Sequence, residues 1–258
     1  MDNENNQNQK EINIIKMLLL GKAGVGKSTF GNFFLKYGRE VFKKSGLGKS
    51  CTKEIQSMIG NEGTISSDFL IIDSPGIFDS EKTNEEIIKK IIIKLKQNFA
   101  EGLNCILMFF NGSDPRFDEY VEKQIQIYLK IFPIKDFWAH VSLIFTKCYE
   151  YIPQQVFDKM KDERINGFVS VFKEKINSLT ENFNQNSMME YNNLTDEEKK
   201  KIAKPEIISL PLELKSFFVD TADVIEPYTY ERTNEEINNL IDWAKLCPRL
   251  SLDKTSPM

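Results

Sequence analysis

The chain has 258 residues, 34 Lys and Arg against 38 Asp and Glu, and a formal net charge of −4. That length suits one large α/β domain with a sizeable core, and the mild acidity gives no whole-molecule reason to coat nucleic acid or anionic lipid. Four cysteines (Cys51, Cys105, Cys148, Cys247) form no Cys-x-x-Cys pair, and with one histidine no zinc site assembles, so they read as reduced packing thiols. His140, next to Trp138, Val141 and Leu143, reads as a sheet-edge or core histidine. No apolar run reaches the length of a membrane span, and MDNENNQNQK carries neither a leader core nor a lipidation signal. The expectation is a cytoplasmic protein with no transmembrane segment and no nucleic-acid partner, one that peripheral membrane contact would still suit.

Residues 1–11 are polar and Asn-rich and are expected to be a disordered tail. Ile12 to Leu20 reads as a buried strand running into Gly21, and Lys27 to about Lys36 as a helix, followed by the Gly/Lys/Ser-rich KKSGLGKSCT. TKEIQSMIG and TISSDFLIID read as two strands meeting at the NEG turn. Ile87, Ile88, Ile91, Ile92, Leu95 and Phe99 have helical spacing. NCILMFF predicts a strand, FDEYVEKQIQIYLKIF a helix and WAHVSLIF a further strand.

A long helix is expected from Pro153 toward Leu179, then a polar loop, NFNQNSMMEYNN, and a short helix with a capping box at Thr195 and Glu198. SFFVD predicts the last strand and NEEINNLIDWAKL the closing helix. One domain over 12–247 is expected, with a polar insert near 182–206 and a flexible tail over 248–258. Strands alternating with helices imply an α/β fold, a mostly parallel sheet covered by helices on both faces.

GKAGVGKST, Gly21 to Thr29, fits Gly-x4-Gly-Lys-Ser/Thr between a strand and a helix. Glycines let the backbone N–H groups turn toward phosphates, and the helix N-terminus adds partial positive charge. The phosphate-binding stretch is therefore Gly21, Lys22, Ala23, Gly24, Val25, Gly26, Lys27, Ser28 and Thr29, with Lys27 reaching the β- and γ-phosphates and Ser28 holding Mg²⁺. In IIDSPGIFDS, Asp73 ends a buried strand where it can reach the metal through water, and the Gly76 N–H can sense a γ-phosphate. Thr52 is placed to close over the metal, with Ser50 as its rival.

DSPGIFDS, together with GLNCILMFFNGSDPRFDEYVEKQI over Gly102 to Ile125, resembles the avirulence-induced-gene/GIMAP family of GTPases, relatives of septins and chloroplast import GTPases. The resemblance covers about Ile14 to Asp220. It implies a P-loop GTPase fold, GTP or GDP with Mg²⁺ as cofactors, and self-association across the nucleotide face when GTP is bound. It also implies that an arginine of the hydrophobic box acts in trans. Arg116 is the candidate catalytic residue, although Ser113, Asp114 and Pro115 separate it from Gly112, whereas the family usually runs Gly-Arg without a gap. A surface arginine capping the NGSDP turn is the competing reading.

By the same resemblance FTKCYE is the base-reading loop. Thr146 ties it to the phosphate loop and Lys147 lays its methylenes along the base. Tyr149 replaces the usual acid, so the donors on guanine fall to Glu150 or to Asp220 at the end of SFFVD. Glu150 as a solvated loop charge is the alternative. Ile77 stands where small GTPases place a water-orienting Gln, which implies a slow GTPase and keeps a non-hydrolysing nucleotide-binding scaffold in view. A P-loop ATPase or kinase is the remaining rival.

Overall fold

The computed structural model describes residues 13–36, 40–43, 54–76, 84–113, 115–148, 153–160, 162–163, 166–210, 213–221 and 227–252. Six strands form one sheet: β1 (Ile15–Gly21), β2 (Gln56–Ile59), β3 (Phe69–Asp73), β4 (Cys105–Asn111), β5 (Val141–Thr146) and β6 (Lys215–Val219), in the order β2-β3-β1-β4-β5-β6. Every neighbouring pair is parallel except β2 with β3. The helices are α1 (Lys27–Leu35), α2 (Asn84–Asn98), α3 (Glu119–Ile131), α4 (Gln154–Met160), α5 (Asn166–Asn192), α6 (Asp196–Lys199) and α7 (Pro227–Leu246).

The two-residue period of a strand divides the apolar runs between two cores. On β1, Met17 and Leu19 join Phe30 and Phe34 of α1 and Leu240 and Ile241 of α7 on one face. Leu18 and Leu20 join Leu95 of α2, Ile125 of α3 and Phe172 of α5 on the other. β4 repeats the pattern, with Leu107 and Phe109 on the first face and Ile106 and Met108 on the second. Burial on both faces explains why these strands read as unbroken apolar runs.

Several expectations shift. Phe137–His140 forms a 3-10 turn and the strand starts at Val141. His140 is buried, and its Nδ1 lies 2.9 Å from the Asn104 carbonyl. The helix expected after Pro153 is described as α4 and α5, with Asp162 and Glu163 π-helical between them. NFNQNSMMEYNN, expected as a polar loop, is helical through Asn192. Its buried residues end at Thr180, yet no proline interrupts the run, and Asn184 exchanges two hydrogen bonds with the backbone of Ile208 at 2.9 and 3.0 Å. The capping box forms, with the Thr195 hydroxyl accepting from Glu198 N.

Part of the stretch expected as a flexible tail is packed. Leu250 pairs with Leu103, Leu252 is buried, and Arg249 binds Glu101 at 2.8 Å. The polar start over 1–11 lies outside the described residues.

Candidate functional site

The C-terminal ends of β1, β3, β4, β5 and β6 converge on one edge of the parallel sheet, where α/β folds bind ligands. Gly26 ends the turn after β1 at φ 97°, a left-handed conformation that suits glycine, and stands as N-cap of α1. Lys27 is buried, and its ammonium donates to the carbonyls of Gly21 and Lys22 at 3.0 Å each. The loop thus holds its own cation in the cup that its backbone forms.

Ser28, the second residue of α1, donates its hydroxyl to Asp73 Oδ2 at 2.7 Å. Asp73 ends β3 with no exposed surface, held in register with Leu19 of β1. A serine hydroxyl and a buried carboxylate are hard oxygen donors. Two protein oxygens suit Mg²⁺, which keeps several waters and takes its other ligands from substrate phosphates. Gly76 passes so close to the loop that a Cβ there would lie 2.6 Å from Ala23 N. Only glycine fits that approach.

From the other side, β5 delivers Thr146 and Lys147. The Thr146 hydroxyl is buried and lies 2.6 Å from the Val25 carbonyl and 3.2 Å from that of Phe110. Lys147 adopts φ 57°, uncommon outside glycine, and its ammonium donates to the Gly24 carbonyl at 3.0 Å. Its stem is exposed over the loop. Asp220 is buried one residue beyond the Thr146–Val219 pair, with its backbone N–H donating to Thr233 Oγ1 of α7 at 3.0 Å.

Lys27, Ser28, Asp73, Gly76, Thr146 and Lys147 therefore gather around one loop, and strand register brings Asp220 alongside. Arg116 is exposed on the β4–α3 connection and lines a cleft with Lys22. Ser50, Thr52, Ile77, Tyr149 and Glu150 lie outside the described residues. Sequence reasoning missed the cleft itself. Its one signal was Gln124, a polar residue on the apolar face of α3 beside Val121, Ile125 and Tyr128.

The sequence model of the AIG1 family matches residues 15–210. The chain is 31% identical over 121 residues to GTPase IMAP family member 8 of Rattus norvegicus, a stretch covering 45% of this chain and only 17% of that protein. Among solved structures it is similar to Toc33 from Arabidopsis thaliana in complex with GDP and Mg²⁺, with a TM-score of 0.61 at 17% identity over 95% of this chain and 90% of that one. A structure of the chloroplast translocon components atToc33 and psToc159, whose dimerization is important for their GTPase activity, gives 0.62 at 16% identity over 93% and 86%. At such identity the likeness shows the fold, that of P-loop GTPases. Among the described residues no helix is long and apolar enough to cross a membrane.

Proposed function

Since this chain belongs to the AIG1 family, we propose that it is a GTP-binding switch of the cytoplasm, a slow GTPase whose GTP-bound form self-associates through the nucleotide face. The 2.7 Å contact of Ser28 with the buried Asp73, beneath a loop that already encloses the Lys27 ammonium, carries this reading. Lys27 moves from carbonyls to the β- and γ-phosphates, an exchange of neutral acceptors for charged ones that favours binding. Ser28 and Thr52, with Asp73 through water, would hold Mg²⁺, which would supply charge neutralisation at the phosphate oxygens. Gly76 donates its N–H to the γ-phosphate. Lys147 covers the base, and Glu150 or Asp220 accepts from guanine.

With Ile77 in place of a water-orienting Gln, a lone subunit hydrolyses slowly. Arg116 of a second copy supplies the missing cation, an effect worth about 10³–10⁵ in rate where such fingers operate. The solved relatives in which dimerization is important for GTPase activity support this arrangement.

Two measurements test the reading. Titration of a fluorescent GDP analogue, competed by GTP and by ATP, should give tight binding with GTP preferred, and Lys27→Ala should abolish it. Unchanged affinity in Lys27→Ala would remove the loop from the phosphate site. Specific GTPase activity should rise with protein concentration in the wild type, and Arg116→Ala should flatten that rise while binding GTP normally. Concentration-independent turnover across a monomer–dimer transition seen by sedimentation would refute the trans arginine. Intact binding with no turnover would favour a scaffold.

A further inference from the structure

The end of β4 and the start of α3 enclose a cleft of about 240 Å³ that shares Lys22 and Val25 with the phosphate loop. Neither Lys27, Ser28 nor Asp73 lines it. Val25, Phe109 and Phe110 are buried and give it an apolar interior, whereas Lys22 and Arg116 are exposed and place two cations at its edge. The Lys22 ammonium stands 5.1 Å above the Tyr120 ring, which holds it over the cleft. Asp118 also borders the space, but its Oδ1 is engaged as N-cap of α3, accepting from Val121 N at 3.0 Å.

Gln124 is the decisive residue. It is 7% exposed, lines the cleft, and its amide makes no hydrogen bond to any described residue. Its buried helix neighbours Val121 and Ile125 are apolar. The amide opens onto the cleft, where water or a ligand can pair with it. Asn111 also lines the cleft, but its Oδ1 is taken by the Ser113 N–H and hydroxyl. Apolar walls, a few polar groups and cations at the edge are the composition of a small-ligand site.

We propose that this cleft binds a compact organic anion with an apolar body and a hydrogen-bonding group at its far end. The carboxylate meets Lys22 and Arg116, the body lies on Val25, Phe109 and Phe110, and the polar end pairs with Gln124. Size agrees, since a dry cavity of about 150 Å³ takes benzene and this one leaves room for a ring with a short acidic arm. Lys22 also belongs to the loop assigned to the phosphates and Arg116 is the residue assigned to act on a second copy, so the site is probed with and without nucleotide.

The test uses the full chain, saturated with GDP and Mg²⁺ and again free of nucleotide. Calorimetry and ligand-observed NMR follow titration with 4-hydroxyphenylacetate, phenylacetate and the uncharged alcohol tyrosol. The hydroxylated acid should bind saturably with one site in both states, and tyrosol at least tenfold more weakly. Gln124→Leu should weaken the hydroxylated acid at least tenfold yet leave phenylacetate within about threefold, a split that a collapsed fold would not produce. The proposal is overturned if neither acid binds saturably, if Gln124→Leu weakens both equally, or if GDP displaces the acid. Displacement by raised protein concentration would assign the cleft to a partner's side chain and overturn it as well.

Discussion

Replacing Thr146 with valine removes one hydroxyl and almost nothing else. That hydroxyl lies 2.6 Å from the Val25 carbonyl and 3.2 Å from the Phe110 carbonyl in a buried position. A hydroxyl has one proton, so the nearer carbonyl, in the phosphate loop, takes most of it. Valine leaves that carbonyl without its donor, at a cost of about 1–3 kcal/mol. For a chain of this size each kcal/mol moves the midpoint by about 2–4 °C, so Tm should fall by about 2–12 °C. The loss should also appear in binding, because Val25 sits inside the loop that proposal assigns to the phosphates. Thermal unfolding with and without saturating GDP separates the two effects, since the ligand-induced shift reports RT ln(1 + [L]/Kd). Thr146→Ser keeps the donor and should restore both. An unchanged Tm in Thr146→Val would refute the tie. A lowered Tm with unaltered GDP affinity would show that the tie does not position the loop.

Tyr128 is fully buried, and its hydroxyl has no hydrogen-bond partner among the described residues; Tyr128→Phe should therefore keep the unfolding free energy from urea titration unchanged or raise it by about 1 kcal/mol, and a loss of that size would reveal a partner. His140, the sole histidine, has its pKa lowered by burial, and its Nδ1–H donates to the Asn104 carbonyl. The unfolded chain takes up the proton first, so this contribution to stability is complete above the ordinary value of about 6.5 and is lost as pH falls through the folded value. Urea unfolding at pH 7.5 and 5.5 should show that loss in the wild type and a smaller one in His140→Gln, and equal losses would sink the assignment.

The parts legible in the sequence are those with local causes. Glycine spacing between a strand and a helix marked the phosphate loop, and unbroken apolar runs marked strands covered on both faces. What escaped depends on distant partners. Asn184 holds α5 to Ile208, so an Asn-rich stretch that looked like a loop is helix. Leu250 pairs with Leu103, a contact no local pattern announces. In the sequence Gln124 reads only as part of a helix, and its place in a cleft depends on the end of β4, which the fold brings opposite it. Asp220 is drawn to the site only by the register of β6 against β5.

The two bonds that join the end of β5 to the phosphate loop, from Thr146 to Val25 and from Lys147 to Gly24, have an evolutionary consequence. Both are made by groups that do not distinguish one base from another, and both lie upstream of Tyr149 and Glu150. If the base is read there, the frame that locates it is built from different residues than the letters that discriminate it. A substitution beyond Lys147 leaves these two bonds in place. Selectivity in such a molecule would behave as an exchangeable tip on a separately anchored socket, open to retuning by single mutations.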